Sequence, residues 1–147
     1  MLAELDCSFG PTEEVGVILP PEVRNLQEFQ TVKVEIGVSQ GWPSLDCKSA
    51  IWRGYASVEY VVSIRLSPSL RIRQYRLEMR LGGQFPGDDD GNRASILPID
   101  QNAIVPFDAH LLLGLPAGAA LPRGFNDPVL LHLFDLVEGI GLRENAG

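Results

Sequence analysis

A serine between two glycines is the pattern in this sequence that most directly suggests chemistry. Residues 37–41 read Gly-Val-Ser-Gln-Gly, which matches the G-x-S-x-G pattern of a nucleophilic serine. That pattern requires a strand before the serine and a helix directly after it. A strand is predicted before Ser39, but Trp42 and Pro43 follow at once and argue against the helix. A plain turn at the end of a strand is therefore favoured over a hydrolase site.

Partners for such a serine, and ligands for a metal ion, are few. The chain has two histidines, and the candidates for base and orienting acid are His110, His132, Asp100 and Asp108. Both histidines fall in apolar stretches without nearby thiols or convergent carboxylates, which favours structural roles over metal binding. The run Asp88–Asn92 resembles a calcium loop, but Pro86 stands at the first ligand position and no Glu closes the loop. We predict no enzyme activity, no cofactor and no metal.

Composition and charge limit the class of partner. The chain has 147 residues and a net charge of −7, which disfavours binding to nucleic acid or to an anionic membrane. No apolar run is long enough to predict membrane insertion, and no signal-peptide pattern is present. Cys7 and Cys47 have no metal-ligand spacing and are predicted to be reduced thiols. These features predict a cytoplasmic location.

The positive charge is concentrated in the middle of the chain. Residues 50–80 carry six Arg and two Glu, whereas both flanking segments are acidic. Five of these arginines belong to one predicted hairpin: Arg65, Arg71, Arg73, Arg76 and Arg80. They predict either a solvated or ion-paired sheet face or a docking surface for an acidic partner. Arg suits the docking role because it binds carboxylates through two parallel hydrogen bonds.

Period-two alternation of apolar residues predicts a sheet in the first half of the chain. Strands are predicted at 3–9, 31–38, 56–66 and 70–81, and the last two form an antiparallel hairpin. The apolar phase changes within 70–81, which predicts a β-bulge near Arg73-Gln74. Residues 39–54 are predicted to be a long connection, and helices are predicted at 106–113 and from Asn126 or Asp127 to about Gly139. The sequence thus predicts one α+β domain over 1–147, with an antiparallel sheet of about four strands covered by two C-terminal helices.

The order of these elements resembles the SecB family of export chaperones. The stretch Asp6-Cys7-Ser8-Phe9 resembles the opening stretch of that family, and Glu28-Phe29-Gln30 resembles its aromatic crossover. Leu77-Glu78-Met79 with Gly82-Gly83-Gln84-Phe85 resembles its last strand, and the segment 102–107 resembles the entry to its first helix. Gly10 replaces a family Glu, and Gly114 and Pro116 shorten the first helix. The Arg-rich hairpin replaces the acidic surface that meets the motor SecA, so SecA is not an expected partner.

The resemblance implies a molecular chaperone, a holdase that binds apolar segments of unfolded or partly folded polypeptides in protein transport. It also implies a homo-oligomer. The aromatic residues in the connections would either cap the core or line a client groove between the crossover and the second helix. The expected lining residues are Phe29, Trp42, Phe85 and Leu121. The alternative is a compact interaction or inhibitor protein, bacterial or phage-derived, with one folded partner.

Overall fold

The computed structural model describes residues 3–10, 29–87 and 93–146. Its elements, in chain order, are β1 (Ala3–Phe9), β2 (Val32–Val38), α1 (Trp42–Arg53), β3 (Tyr60–Leu66), β4 (Arg73–Met79), β5 (Leu97–Pro98), β6 (Ile104–Phe107), α2 (Ala109–Leu113), β7 (Val129–His132) and α3 (Leu133–Ala146). Most of the predicted crossover before β2, and the Asp-rich loop at 88–92, lie outside the described residues. The α+β class is confirmed.

The main sheet has five strands in the order β1-β2-β3-β4-β5. β1 pairs with β2, β3 with β4, and β4 with β5 in antiparallel fashion, whereas β2 and β3 are parallel. The prediction of a purely antiparallel sheet is therefore wrong at one pair. Two adjacent parallel strands need a crossover that returns the chain to the starting edge, and α1 lies on that crossover.

Helix α1 also corrects the predicted long connection at 39–54. Gly41 is its N-cap, and Pro43 lies in its first turn. The first turn is where proline is tolerated, because its missing N–H would have no partner within the helix. Trp42-Pro43 therefore marks the start of a helix, and the prediction that these two residues argue against a helix is wrong.

The predicted β-bulge near Arg73-Gln74 is absent from the β3–β4 pairing. The register runs without interruption from Leu66↔Arg73 to Tyr60↔Met79. Leu70 and Ile72, whose apolar phase suggested the bulge, belong to the turn before β4, where Leu70 has a φ of 59°. The change in the phase of the apolar alternation therefore marks the boundary between this turn and β4.

The apolar face of the sheet carries the main core. Even-numbered residues from Val32 to Val38 and from Tyr60 to Leu66 are all buried there. Val105, Phe107, Leu133 and Val137 from the C-terminal elements join the same cluster. Helix α1 packs against β2 and β3, and its residues bond to the polar side chains of the opposite face.

The C-terminal cover differs in part from the predicted pair of helices. β6 and β7 form a two-stranded antiparallel ribbon, so Val129 and Leu130 belong to a strand rather than to the first turn of the last helix. Helix α2 has five residues and α3 has fourteen. Among the helices in the described ranges, none has the length and apolar character needed to cross a bilayer.

Candidate functional site

Glu78 lies at the centre of the polar layer beneath α1. It is 3% exposed, and its Oε1 accepts hydrogen bonds from Ser49 Oγ at 2.7 Å and from Arg93 Nη2 at 3.1 Å. Arg53 Nη1 lies 3.7 Å from its Oε2. Burial lowers the pKa of Arg93, but hydrogen bonds and charges from Glu78 and Asp46 outweigh burial and raise that pKa above its ordinary value. The buried carboxylate is thus compensated within the chain, which indicates a structural role.

A second buried charge lies on β2. Lys33 Nζ donates to Ser8 Oγ at 2.8 Å and lies 4.2 Å from the centre of the Trp52 ring. Trp52 Nε1 donates to Glu35, which is 2% exposed. These contacts attach α1 to β2 and explain why charged residues occupy this interior strand.

The five arginines proposed for partner docking do not form one free surface. Arg76 Nη1 pairs with Asp46 on α1 at 2.8 Å, and Arg65 Nε donates to the Gln40 carbonyl at 3.2 Å. These contacts bind the polar face of the sheet to α1 and to the loop before it.

The remaining three arginines lie elsewhere. Arg80 donates to several backbone carbonyls, including those of Val58 and Tyr55. Arg73 pairs with Glu138 of α3, and Arg71 is exposed. Four of the five therefore bond within the chain, two through ion pairs and two through hydrogen bonds to neutral oxygen atoms. Their docking role stays a prediction.

The four residues predicted to line a client groove lie in different parts of the fold. Phe29 and Phe85 are 5% and 4% exposed, and Phe85 packs in a small core with Val58 and Val61. Trp42 Nε1 donates to Gln74 near the start of β4, whereas Phe85 follows the end of that strand. Leu121 is half-buried in the loop between α2 and β7. Trp42 and Phe85 thus lie near opposite ends of β4 and do not line one groove.

Ser39 has both the preceding strand and the following helix of the G-x-S-x-G pattern, so the prediction that the helix is absent is wrong. It follows β2 directly, has a φ of 69°, and is followed by α1 within three residues. A cavity of about 240 Å³ opens beside it. The described residues that line this cavity include no His, Asp or Glu, and the Ser39 N–H donates to the Leu66 carbonyl at 3.0 Å. A base for Ser39 is therefore missing among the described lining residues.

A larger groove lies at the start of β7. Its volume is about 450 Å³, within the range of ligand-binding clefts. Its described lining residues are Gly124, Phe125, Asn126, Pro128, Val129 and Leu130. Phe125 and Leu130 are 37% and 50% exposed. Below, these residues are called the Gly124–Leu130 groove.

Hydrogen bonds to α2 fix the elements around this groove. The Asp108 N–H donates to Tyr60 Oη at 2.9 Å, and Thr31 Oγ1 donates to the Leu112 carbonyl at 2.6 Å. Burial is the main cause that raises the pKa of Tyr60. The Asp108 N–H bond lowers that pKa, and the Asp108, Glu59 and Asp127 charges raise it. Helix α2 is therefore attached to the main sheet at both ends.

Asp127 brings a second carboxylate close to α2. Its Oδ1 accepts a hydrogen bond from the Ala109 N–H at 3.0 Å, and its Oδ2 lies 3.8 Å from His110 Nδ1. Asp108 and His110 were candidates from the sequence, whereas Asp127 was predicted only as one of two alternative helix caps, with Asn126. Nothing in the spacing brings Asp127 to them, because the chain must first make the whole loop between α2 and β7.

No protein-family model matches the chain, and neither a curated protein sequence nor a solved structure matches it. Function is therefore inferred from the contacts described above.

Proposed function

We propose that the protein acts by binding, and that it holds an extended apolar segment of another polypeptide in the Gly124–Leu130 groove. The observation that carries this proposal is the pair of exposed apolar side chains, Phe125 and Leu130, on a groove of about 450 Å³. Fully burying an exposed side chain of this size contributes roughly 1.5–3 kcal/mol. Phe125 and Leu130 are already partly buried, so covering the rest of each contributes a fraction of that and favours weak, reversible binding.

The neighbouring backbone favours an extended occupant. In the part of the chain that the structure describes, β7 pairs with β6 alone. A strand with an open edge can accept a further strand through main-chain hydrogen bonds, while alternate side chains enter pockets. Leu130 is exposed and Val129 is half-buried, so successive residues of β7 face opposite sides.

The charge beside the groove favours a basic occupant. Asp127 lies between two lining residues, and the side chains of Asp108 and Asp127 are 49% and 40% exposed. We therefore propose a segment in which apolar residues alternate with Lys or Arg. Complementary charge raises the association rate and disfavours acidic segments.

This proposal keeps the holdase function that the resemblance to SecB implies, but it moves the client site. Phe29 and Phe85 are core residues, so they would have to leave the core to contact a client. The Gly124–Leu130 groove replaces them, and Leu121 lies in the same loop. A homo-oligomer, a cytoplasmic location and a role in protein transport belong to the same proposal. The exposed free thiol of Cys47 fits a reducing compartment.

Peptide binding tests the proposal. A fluorescein-labelled peptide of about ten residues that alternates Leu and Lys would be titrated with the protein and followed by anisotropy. We expect binding that weakens by about tenfold or more in Leu130→Asn, because a polar amide then replaces an apolar contact without changing the charge. Ile51→Asn is the matched control, since Ile51 is 58% exposed on α1 and outside the groove.

Two outcomes would contradict the groove proposal. One is an absence of peptide binding at about millimolar protein, and the other is equal weakening by Leu130→Asn and Ile51→Asn. A peptide with Glu in place of Lys should bind more weakly. Suppression of aggregation of an unfolded protein, followed by light scattering, supports a holdase. Co-purification of one stoichiometric folded partner supports the interaction or inhibitor alternative.

A further inference from the structure

His110 stands between two carboxylates at a distance that leaves room for an ion. Its Nδ1 lies 3.8 Å from Asp108 Oδ1 and 3.8 Å from Asp127 Oδ2. Both distances exceed those of a hydrogen bond. Ligand atoms of all three side chains lie within 4.8 Å of one another. We propose that Asp108, His110 and Asp127 bind a divalent transition-metal ion of the Zn²⁺ type.

The other nitrogen of His110 has a partner that selects the ligand atom. Its Nε2 lies 2.8 Å from the Ala119 carbonyl oxygen. A carbonyl only accepts hydrogen bonds, so Nε2 carries the proton and Nδ1 of the neutral ring has the lone pair. Histidines that bind metals commonly donate their second nitrogen to a carbonyl or carboxylate in this way, which fixes the tautomer and the ring orientation.

Backbone N–H groups hold both carboxylates in place. Asp108 Oδ1 accepts from the Leu111 N–H at 3.0 Å, and Asp127 Oδ1 accepts from the Ala109 N–H at 3.0 Å. All three ligands are therefore oriented by bonds that do not involve an ion. The His110 side chain is 20% exposed and the two carboxylates more so, so an ion can enter from solvent.

The donor set selects the class of metal. Zinc binds His nitrogen and Asp oxygen at about 2.0–2.2 Å, which separates tetrahedral ligand atoms by about 3.3 Å. The 3.8 Å separations therefore require an inward movement of about half an ångström. Calcium takes six to eight oxygen ligands, whereas imidazole suits zinc and its neighbours. Three protein ligands leave a fourth position for water.

The site does not depend on the groove proposal, but it uses Asp108 and Asp127, whose charges favour a basic segment in the groove. A bound divalent ion would neutralise those charges, so the peptide titration uses chelator-treated protein. The ion would connect α2 to Asp127, which lies two residues before the start of β7. Because the ligands meet only in the folded chain, binding would stabilise the native state by an amount that rises with the logarithm of the metal concentration above Kd.

Metal titration tests the site. The reduced, chelator-treated protein would be titrated with Zn²⁺ by calorimetry and with Co²⁺ by visible absorption. We expect one ion per chain, an affinity about tenfold or more lower in His110→Asn and Asp127→Asn, and a Zn²⁺-dependent rise in Tm that His110→Asn abolishes. His132→Asn is the matched control, because His132 is exposed on β7 outside the cluster and should bind as the native protein does.

Several results would overturn the site. One is an absence of Zn²⁺ binding in the native protein, which would leave the three side chains as a cluster that holds no ion. Another is unchanged affinity in His110→Asn when circular dichroism confirms that the variant is folded. Strong thiolate-to-Co²⁺ absorption would assign the ion to a cysteine such as Cys47. Binding of Ca²⁺ as tight as that of Zn²⁺ would also contradict the nitrogen ligand.

Discussion

Ser49 Oγ donates a 2.7 Å hydrogen bond to Glu78 Oε1, and the two residues are 0% and 3% exposed. The bond joins α1 to β4 across the polar face of the sheet. Arg93 and Arg53 reach the same carboxylate. The Glu78 carboxylate thus links α1 to β4, so loss of its hydrogen bonds should lower the free energy of unfolding.

Ser49→Ala should lower the free energy of unfolding by roughly 1.5–3 kcal/mol, because the variant loses a hydrogen bond to a buried charged group. Urea denaturation measures the change. Ser44→Ala is the matched control: Ser44 is exposed on the same helix, and its hydroxyl makes only a 3.4 Å contact with Gln40. The control should stay within about 0.5 kcal/mol of the native protein. Equal losses in the two variants would contradict the special role of Ser49.

The ion pair between Arg73 and Glu138 should contribute little by comparison. Arg73 Nη1 and Glu138 Oε1 are 2.7 Å apart, but the two side chains are 24% and 47% exposed. A double-mutant cycle with Arg73→Ala and Glu138→Ala should give a coupling of about 1 kcal/mol or less, which declines in high salt. The cycle is needed because Arg73 also lies over the Phe134 ring. A coupling above about 3 kcal/mol would contradict the interpretation of an exposed pair.

Leu130 and Leu133 lie three positions apart, but their truncation should change the free energy of unfolding by very different amounts. Leu133 is 0% exposed in the core and Leu130 is 50% exposed in the groove. Leu133→Ala should cost about 2–5 kcal/mol because it leaves a cavity, whereas Leu130→Ala should stay within about 0.5 kcal/mol. Thermal and urea unfolding measure both. A large cost for Leu130→Ala would place that side chain in the core and remove it from the groove.

Glu59 should make stability depend on pH. Burial raises the pKa of its carboxyl above the ordinary value of 4.5, and the nearby Arg80 charge only partly offsets this. The folded state therefore binds the proton more tightly than the unfolded state does. The stability from Glu59 is complete below about pH 4.5 and is lost as pH rises through the higher folded pKa.

Glu59→Gln should accordingly be more stable than the native protein at pH 7, and this advantage should disappear as the pH falls below about 4.5. Urea denaturation at both pH values measures it. Asp135→Asn is a suitable control because that residue is exposed on α3. A variant less stable than the native protein at pH 7 would mean that attraction to Arg80 outweighs the cost of burial.

Strand positions were predictable because alternation reports directly on a half-buried sheet. The segment from Val32 to Val38 and the even face of β3 carry this signal, and both were placed correctly. The parallel pairing of β2 with β3 was not predicted, because Trp42-Pro43 was interpreted as a break. Leu70 and Ile72 were predicted to belong to β4 for a different reason, since an apolar residue in a turn has the same sequence signal as one in a strand.

The candidate sites were less predictable than the fold. Phe29 and Phe85 were assigned to a client groove, yet both are buried. An aromatic residue in a connection can either cap a core or face solvent, and composition does not distinguish the two. Asp127 was assigned to a helix cap, yet its carboxylate reaches both the Ala109 N–H and His110.

The sequence by itself determined the α+β class, the approximate positions of the four seven-residue strands of the sheet and the side of β2 and β3 that faces the core. Those features depend on local periodicity, which each segment carries independently. Only the tertiary structure decided the parallel pair, the cover of the polar face by α1, and the meeting of Asp108, His110 and Asp127. These depend on how distant segments return to one another, and that is set by the packing of the whole chain rather than by the spacing of residues along it.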